Sequence, residues 1–115
     1  MTLKFFYSLL LFAGVHTLIW FSANAQFISE QWKEKSFAIM LAASVPTAIL
    51  VYYATRFGYE ALDGSAWGAR FLGFGASYFV FPILTYLLLG ESMFTLKTMI
   101  CVLLSFSIIA VQAWM

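Results

Sequence analysis

The side chains with the greatest chemical reach in the apolar parts of this sequence are His16, Trp20 and Asn24, which follow one another at spacing four. On a helix that spacing confines them to a stripe of about 80 degrees, with Phe12 extending it toward the N-terminus. An imidazole, an indole and an amide on one stripe can relay protons, contact a ligand or bond neighbouring helices, and such a face is costly toward lipid. Arg70 has two uses: it can snorkel to an interface, or hold an anionic group by paired hydrogen bonds. Tyr78 lies between Gly75 and Pro82, a pair that predicts a bend in its helix. The expected ligand-contacting set is His16, Trp20, Asn24 and Tyr78, with Arg70 as a peripheral charge.

Several chemistries are excluded by what surrounds these residues. His16 is the only histidine, and no cysteine, aspartate or second histidine stands at ligand spacing from it, so no metal site is expected. The five acidic residues, Glu30, Glu34, Glu60, Asp63 and Glu91, fall in loops or at helix ends. Neither a nucleophile–base arrangement nor a phosphate-binding glycine loop is present, so neither an enzyme nor a cofactor is expected. Cys101, the single cysteine, sits in an apolar run and reads as a small packing group. A formal charge of +1 gives nucleic acid no basic field to follow.

The elements that must position these residues are apolar helices. At 63% hydrophobic, 20% aromatic and 10% charged residues, most of the surface must face lipid rather than water. A hydrocarbon core roughly 30 Å thick takes about 20 residues per crossing, and four apolar segments of that size follow one another. They run over about 3–21, 36–57, 67–89 and 93–114, and predict a single all-α domain over 1–115, an integral membrane bundle of four transmembrane helices. Between the first two lies the polar stretch from Ser22 to Lys35, where Trp32 suits the interface, as does Trp114 at the far end. Pro46 should kink the second segment, while residues 58–66 and Gly90-Glu91-Ser92 read as turns. A competing reading makes residues 1–25 a cleaved signal peptide, with Lys4 in its n-region and Ala23-Asn24-Ala25 as the cleavage site.

Small residues at spacing four, Gly64 with Gly68, Ala69 with Gly73 and Cys101 with Ser105, allow close helix approach. With four helices, Lys4, Arg56 and Arg70 face one side and Lys33, Lys35 and Lys97 the other. Equal numbers leave orientation unfixed by positive charge and permit copies inserted both ways, paired as an antiparallel dimer.

Four helices in so short a chain, a glycine-rich bent third helix, and Leu89-Gly90-Glu91-Ser92 leading into Leu96 to Gln112 together resemble the drug/metabolite transporter superfamily. Its single-unit members include the small multidrug resistance proteins. The layout is similar over the whole chain, and the residues are similar from about Leu84 to Ala110. That resemblance implies an antiparallel dimer of four-helix protomers in a bacterial-type inner membrane. The small multidrug resistance proteins exchange protons for cationic substrate at a glutamate within an Ala-Glu-Val tripeptide of the first helix. Here the similar tripeptide is Ala13-Gly14-Val15, so Gly14 removes the acid on which that mechanism depends. The expected function is a small transporter-like protein that moves a small metabolite or amphiphile across a membrane as a homo-oligomer. The alternative is a non-transporting membrane protein, either a holin-like oligomer or a structural subunit of a membrane complex.

Overall fold

A computed structural model describes the backbone of residues 3–114 and the side chains of residues 3–111. Four helices follow in order: α1 (Leu3–Asn24), α2 (Glu30–Ala61), α3 (Ala66–Leu84) and α4 (Leu96–Trp114). A short 3-10 turn (Ala25–Phe27) ends α1 and a wide π-helical turn (Thr85–Leu89) prolongs α3. No strand occurs among the described residues.

Helix α2 runs past its apolar segment at both ends, while α4 begins three residues later than its segment. Ser29 accepts a hydrogen bond from the Trp32 amide at 3.4 Å, so the charged residues from Glu30 to Lys35 form the first turns of α2 and the linker shrinks to residues 25–29. Ser65 caps α3 through the Gly68 amide at 2.9 Å, and the Thr95 hydroxyl accepts from the Thr98 amide at 3.3 Å ahead of α4. The turn between α2 and α3 passes through Asp63 (φ 58°) and Gly64 (φ 76°), which places Gly64 outside the helix and dissolves the expected Gly64–Gly68 pair. Gly58, read as a turn residue, is instead buried inside α2. Helix α2 continues through Pro46. In α3, Pro82 offers no amide to the Tyr78 carbonyl, and three residues later the helix widens into the π-helical turn. Gly90, left-handed at φ 69°, closes that turn through its amide to the Tyr86 carbonyl at 3.0 Å.

The core is small and centred on α1. Ser8, Phe12, Val15 and Trp20 are its buried residues, one face of a 22-residue helix. Opposite them stand Ala54 and Gly58 of α2 and Ala69, Gly73 and Ala76 of α3, all buried. The Ser8 hydroxyl donates to the Ala54 carbonyl at 2.8 Å. A Cβ at Gly58 would lie 2.9 Å from Ser8 Oγ and 3.4 Å from Ala69 Cβ, and one at Gly73 would lie 3.1 Å from the Phe12 ring. Missing side chains on α2 and α3 thus let α1 seat against both at once. Contacts pair Ser8 with Ala54, and Trp20 with Thr85, so α1 is antiparallel to α2 and parallel to α3. Helix α4 packs on α3, where Tyr78 donates to the Ser105 hydroxyl at 2.7 Å and its ring lies 5.3 Å from Phe106.

Outside that core the apolar residues are open: Leu10, Ile83, Leu87, Leu96 and Leu103 are each more than half exposed. Cys101, expected to pack as a small apolar group, is likewise exposed on α4. Helices α1, α2 and α3, each taken with its adjoining turn, are long and apolar enough to cross a membrane, and α4 is apolar over Leu96–Val111. The expected interfacial place of Trp114 lies outside the described side chains.

Gly58→Val should destabilise the fold by about 1–3 kcal/mol, read as a lower thermal midpoint in detergent by circular dichroism. Gly75→Ala, whose Cβ would meet nothing nearer than Ile109 at 4.0 Å, should leave the midpoint unchanged; equal effects at the two glycines would contradict the packing described.

Candidate functional site

The triple seam of α1, α2 and α3 tightens at Gly58 and opens farther along into a cavity of about 460 Å³. Phe12, Val15, His16 and Ile19 supply the α1 wall, Val51 and Thr55 the α2 wall, and Ala66, Ala69, Arg70, Gly73, Phe74 and Ser77 the α3 wall. That volume is in the range of small-molecule sites, which are mostly apolar with a few converging polar groups.

Three polar groups on the wall, His16, Ser77 and Arg70, are positioned by nameable contacts. His16 donates from Nε2 to the Gly73 carbonyl at 2.8 Å; a carbonyl can only accept, so the proton of this ring nitrogen is assigned to Nε2. Its ring stacks on Phe12 with centroids 6.4 Å apart. Ser77 turns its hydroxyl to the Phe74 carbonyl at 2.7 Å. Arg70, one turn into α3, lays its guanidinium over the Phe74 ring, 5.1 Å from the centroid, a cation–π contact.

The charge pattern at this end of the bundle is asymmetric. Lys4 pairs with Glu60 at 2.9 Å and Arg56 with the same carboxylate at 3.5 Å. The first of these exposed pairs joins the start of α1 to the end of α2 and the second lies within α2, and each contributes little energy. Arg70 shares in neither pair, and no carboxylate of the described residues stands at salt-bridge distance from it. No acidic side chain lines the cavity.

Of the residues singled out from the sequence, the cavity brings His16 and Arg70 together. Trp20 does not line it: the indole is buried and donates from Nε1 to the Thr85 hydroxyl at 2.9 Å, fastening α1 to the π-helical turn. Asn24 stands half-buried at the end of α1, away from the cavity wall. Tyr78 faces the other side of α3, against α4, where it borders two separate cavities of about 370 and 160 Å³. Thr55, Phe74 and Ser77 were not singled out; Phe74 and Ser77 stand four and seven residues after Arg70, a helical spacing that offers a signal for them once Arg70 is fixed. Ser8 also continues the spacing-four stripe, four residues before Phe12. Among the described residues, no group of three or more His, Cys, Asp or Glu side chains is placed to hold a metal. Comparison with known proteins finds no matching family model, no matching curated protein and no matching solved structure.

Trp20→Phe should cost about 0.6 kcal/mol for the lost interhelical hydrogen bond, the average in lipid, and at most about 1.7 kcal/mol, in addition to the smaller ring's lost packing, while leaving the cavity intact. Thermal stability in detergent should fall, and binding of an amphiphilic dye that occupies the cavity should hold; loss of dye binding at full stability would place Trp20 in the site instead.

Proposed function

We propose that this chain is a small multi-pass integral membrane protein of the transporter type, which passes a small metabolite or amphiphile through the space between α1, α2 and α3. The observation that carries this reading is the cavity itself: a concave space between three long apolar helices with an imidazole and a guanidinium on its wall. In a bilayer such groups are costly unless they serve a ligand or a partner. The exposed apolar side chains around the small core suit lipid as the surrounding solvent.

Helix α1 belongs to the working protein in this reading. Its residues Ser8, Phe12, Val15 and Trp20 are much of the core, so removal of residues 1–25 as a signal peptide would take away the surface on which α2 and α3 meet. A homo-oligomer is supported by the periphery. Helix α4 packs on α3 and leaves Leu96, Leu103 and Leu104 exposed, and the lysines and arginines are shared equally between the two ends of the bundle. An antiparallel dimer covers such a face and accepts such a balance. This is the arrangement of the single-unit transporters that the layout resembles, in a bacterial-type inner membrane. With Gly14 in place of an embedded acid, the carrier works without the carboxylate proton exchange of the small multidrug resistance proteins. The same exposed α4 face also favours a second reading, in which the chain is a subunit that docks on another membrane protein and moves nothing.

The test is flux from proteoliposomes loaded with three amphiphilic probes, anilinonaphthalene sulfonate, a zwitterionic fluorescent lipid and tetraphenylphosphonium, beside calcein as a leak marker. At least one probe should move with saturation while calcein stays. Ser77→Trp, which fills the cavity from its wall, should slow that probe by about tenfold or more, equivalent to at least about 1.4 kcal/mol. Release of calcein together with all probes would move the protein to the lesion-forming class, and no flux of any probe would favour the subunit reading.

A further inference from the structure

Arg70 is the one charged side chain on the cavity wall. At the same end of the bundle Lys4 and Arg56 converge on Glu60, and Asp63, in the turn between α2 and α3, lies at salt-bridge distance from no cation of the described residues. The guanidinium instead rests on Phe74. An aromatic ring beneath a guanidinium holds its plane and leaves the N–H edges free, and those edges match a carboxylate or phosphate in bidentate fashion. No carbonyl or carboxylate of the described residues takes them. The rest of the wall near them is apolar: Phe12, Val15, Ile19 and Val51. A cation entering the cavity would meet a like charge and find no acid to offset it, whereas an anion would satisfy donors that otherwise stay unpaired beside apolar surface.

We infer that this cavity is a binding site for an anionic amphiphile, with a carboxylate or phosphate headgroup on Arg70 and an apolar body against Phe12, Val15, Ile19 and Val51. This deepens the transport reading by naming its substrate class, and rests on that reading only for the claim that the bound molecule moves. The Thr55 hydroxyl, on the same wall, is available as a further donor to the headgroup. The headgroup belongs either to a lipid of the bilayer or to a free amphiphile such as a fatty acid; the chemistry at Arg70 is the same.

The experiment uses the full chain in phosphatidylcholine vesicles with three spin-labelled probes of one chain length: stearate at alkaline pH where it is ionised, stearyl alcohol, and a trimethylammonium analogue. Electron paramagnetic resonance reads the fraction of each probe immobilised by the protein. Stearate should be preferred over the other two by about tenfold, the size expected of one charge-assisted contact. Arg70→Gln should bring stearate to the level of the alcohol, and Arg70→Lys should retain part of the preference. The probe series on the unmodified chain stands even where a variant folds poorly. Immobilisation of the trimethylammonium probe equal to that of stearate, or an unchanged preference in a folded Arg70→Gln chain, overturns the site. Adding phosphatidylglycerol separates the sources: loss of the stearate preference assigns the headgroup to a bilayer lipid, and an unchanged preference assigns it to a free amphiphile. Anion preference without flux would remove transport and keep the site, whereas saturable flux without anion preference would remove the site and keep transport.

Discussion

The rest of the structure depends on how closely α1 approaches two other helices at the same time. Ser8 and Phe12 press into positions where α2 and α3 have hydrogen or methyl in place of larger side chains, at Ala54, Gly58, Ala69 and Gly73. Close approach gains dispersion contacts and lets a hydroxyl reach a backbone carbonyl across helices, as Ser8 does to Ala54. The gain is local, since the buried residues are few. Farther along the seam Trp20 is anchored to Thr85, so α1 is fastened near both ends of its buried face.

A cavity follows from that arrangement. Beside the close contacts at Gly58 and Gly73, the side chains of the three helices leave a space of about 460 Å³ unfilled. His16 is tied to Gly73 and Arg70 lies on Phe74, so the two polar groups of most reach are held by α3 contacts, while the apolar wall comes chiefly from α1 and α3. The π-helical turn after Pro82 gives α3 a change of geometry at the point where Trp20 of α1 is bonded to Thr85.

The helices were legible because four apolar runs separated by turn residues admit little else, and the spacing of 12, 16 and 20 in α1 marked the face that turns inward. The extent of α2 was less legible: charge between 30 and 35 reads as an exit from the membrane and the expected helix starts at about residue 36, yet Ser29 caps those residues and Glu and Lys are good helix formers. Gly58 and Gly64 stand six residues apart, one packed in a helix against Ser8, far away in sequence, and the other in a left-handed turn. The site was half legible. His16 and Arg70 could be chosen by residue type, but Trp20 and Thr85 meet across 65 residues and Tyr78 turns to Ser105 on α4, pairings that no local period encodes.

Cross-linking of α1 to α2 at the tight crossing tests this account most directly. Ser8→Cys and Gly58→Cys, placed together in a chain whose only other thiol is removed by Cys101→Ser, would set one sulfur near the place of Ser8 Oγ, 2.9 Å from the Cβ that carries the other, close enough for a disulfide. Oxidation in native membranes should give an intramolecular bond in the full-length chain, seen as a faster-migrating monomer that reverts on reduction. Absence of that bond, or bonds formed only between copies, would contradict α1 as the helix on which the bundle and its cavity are built.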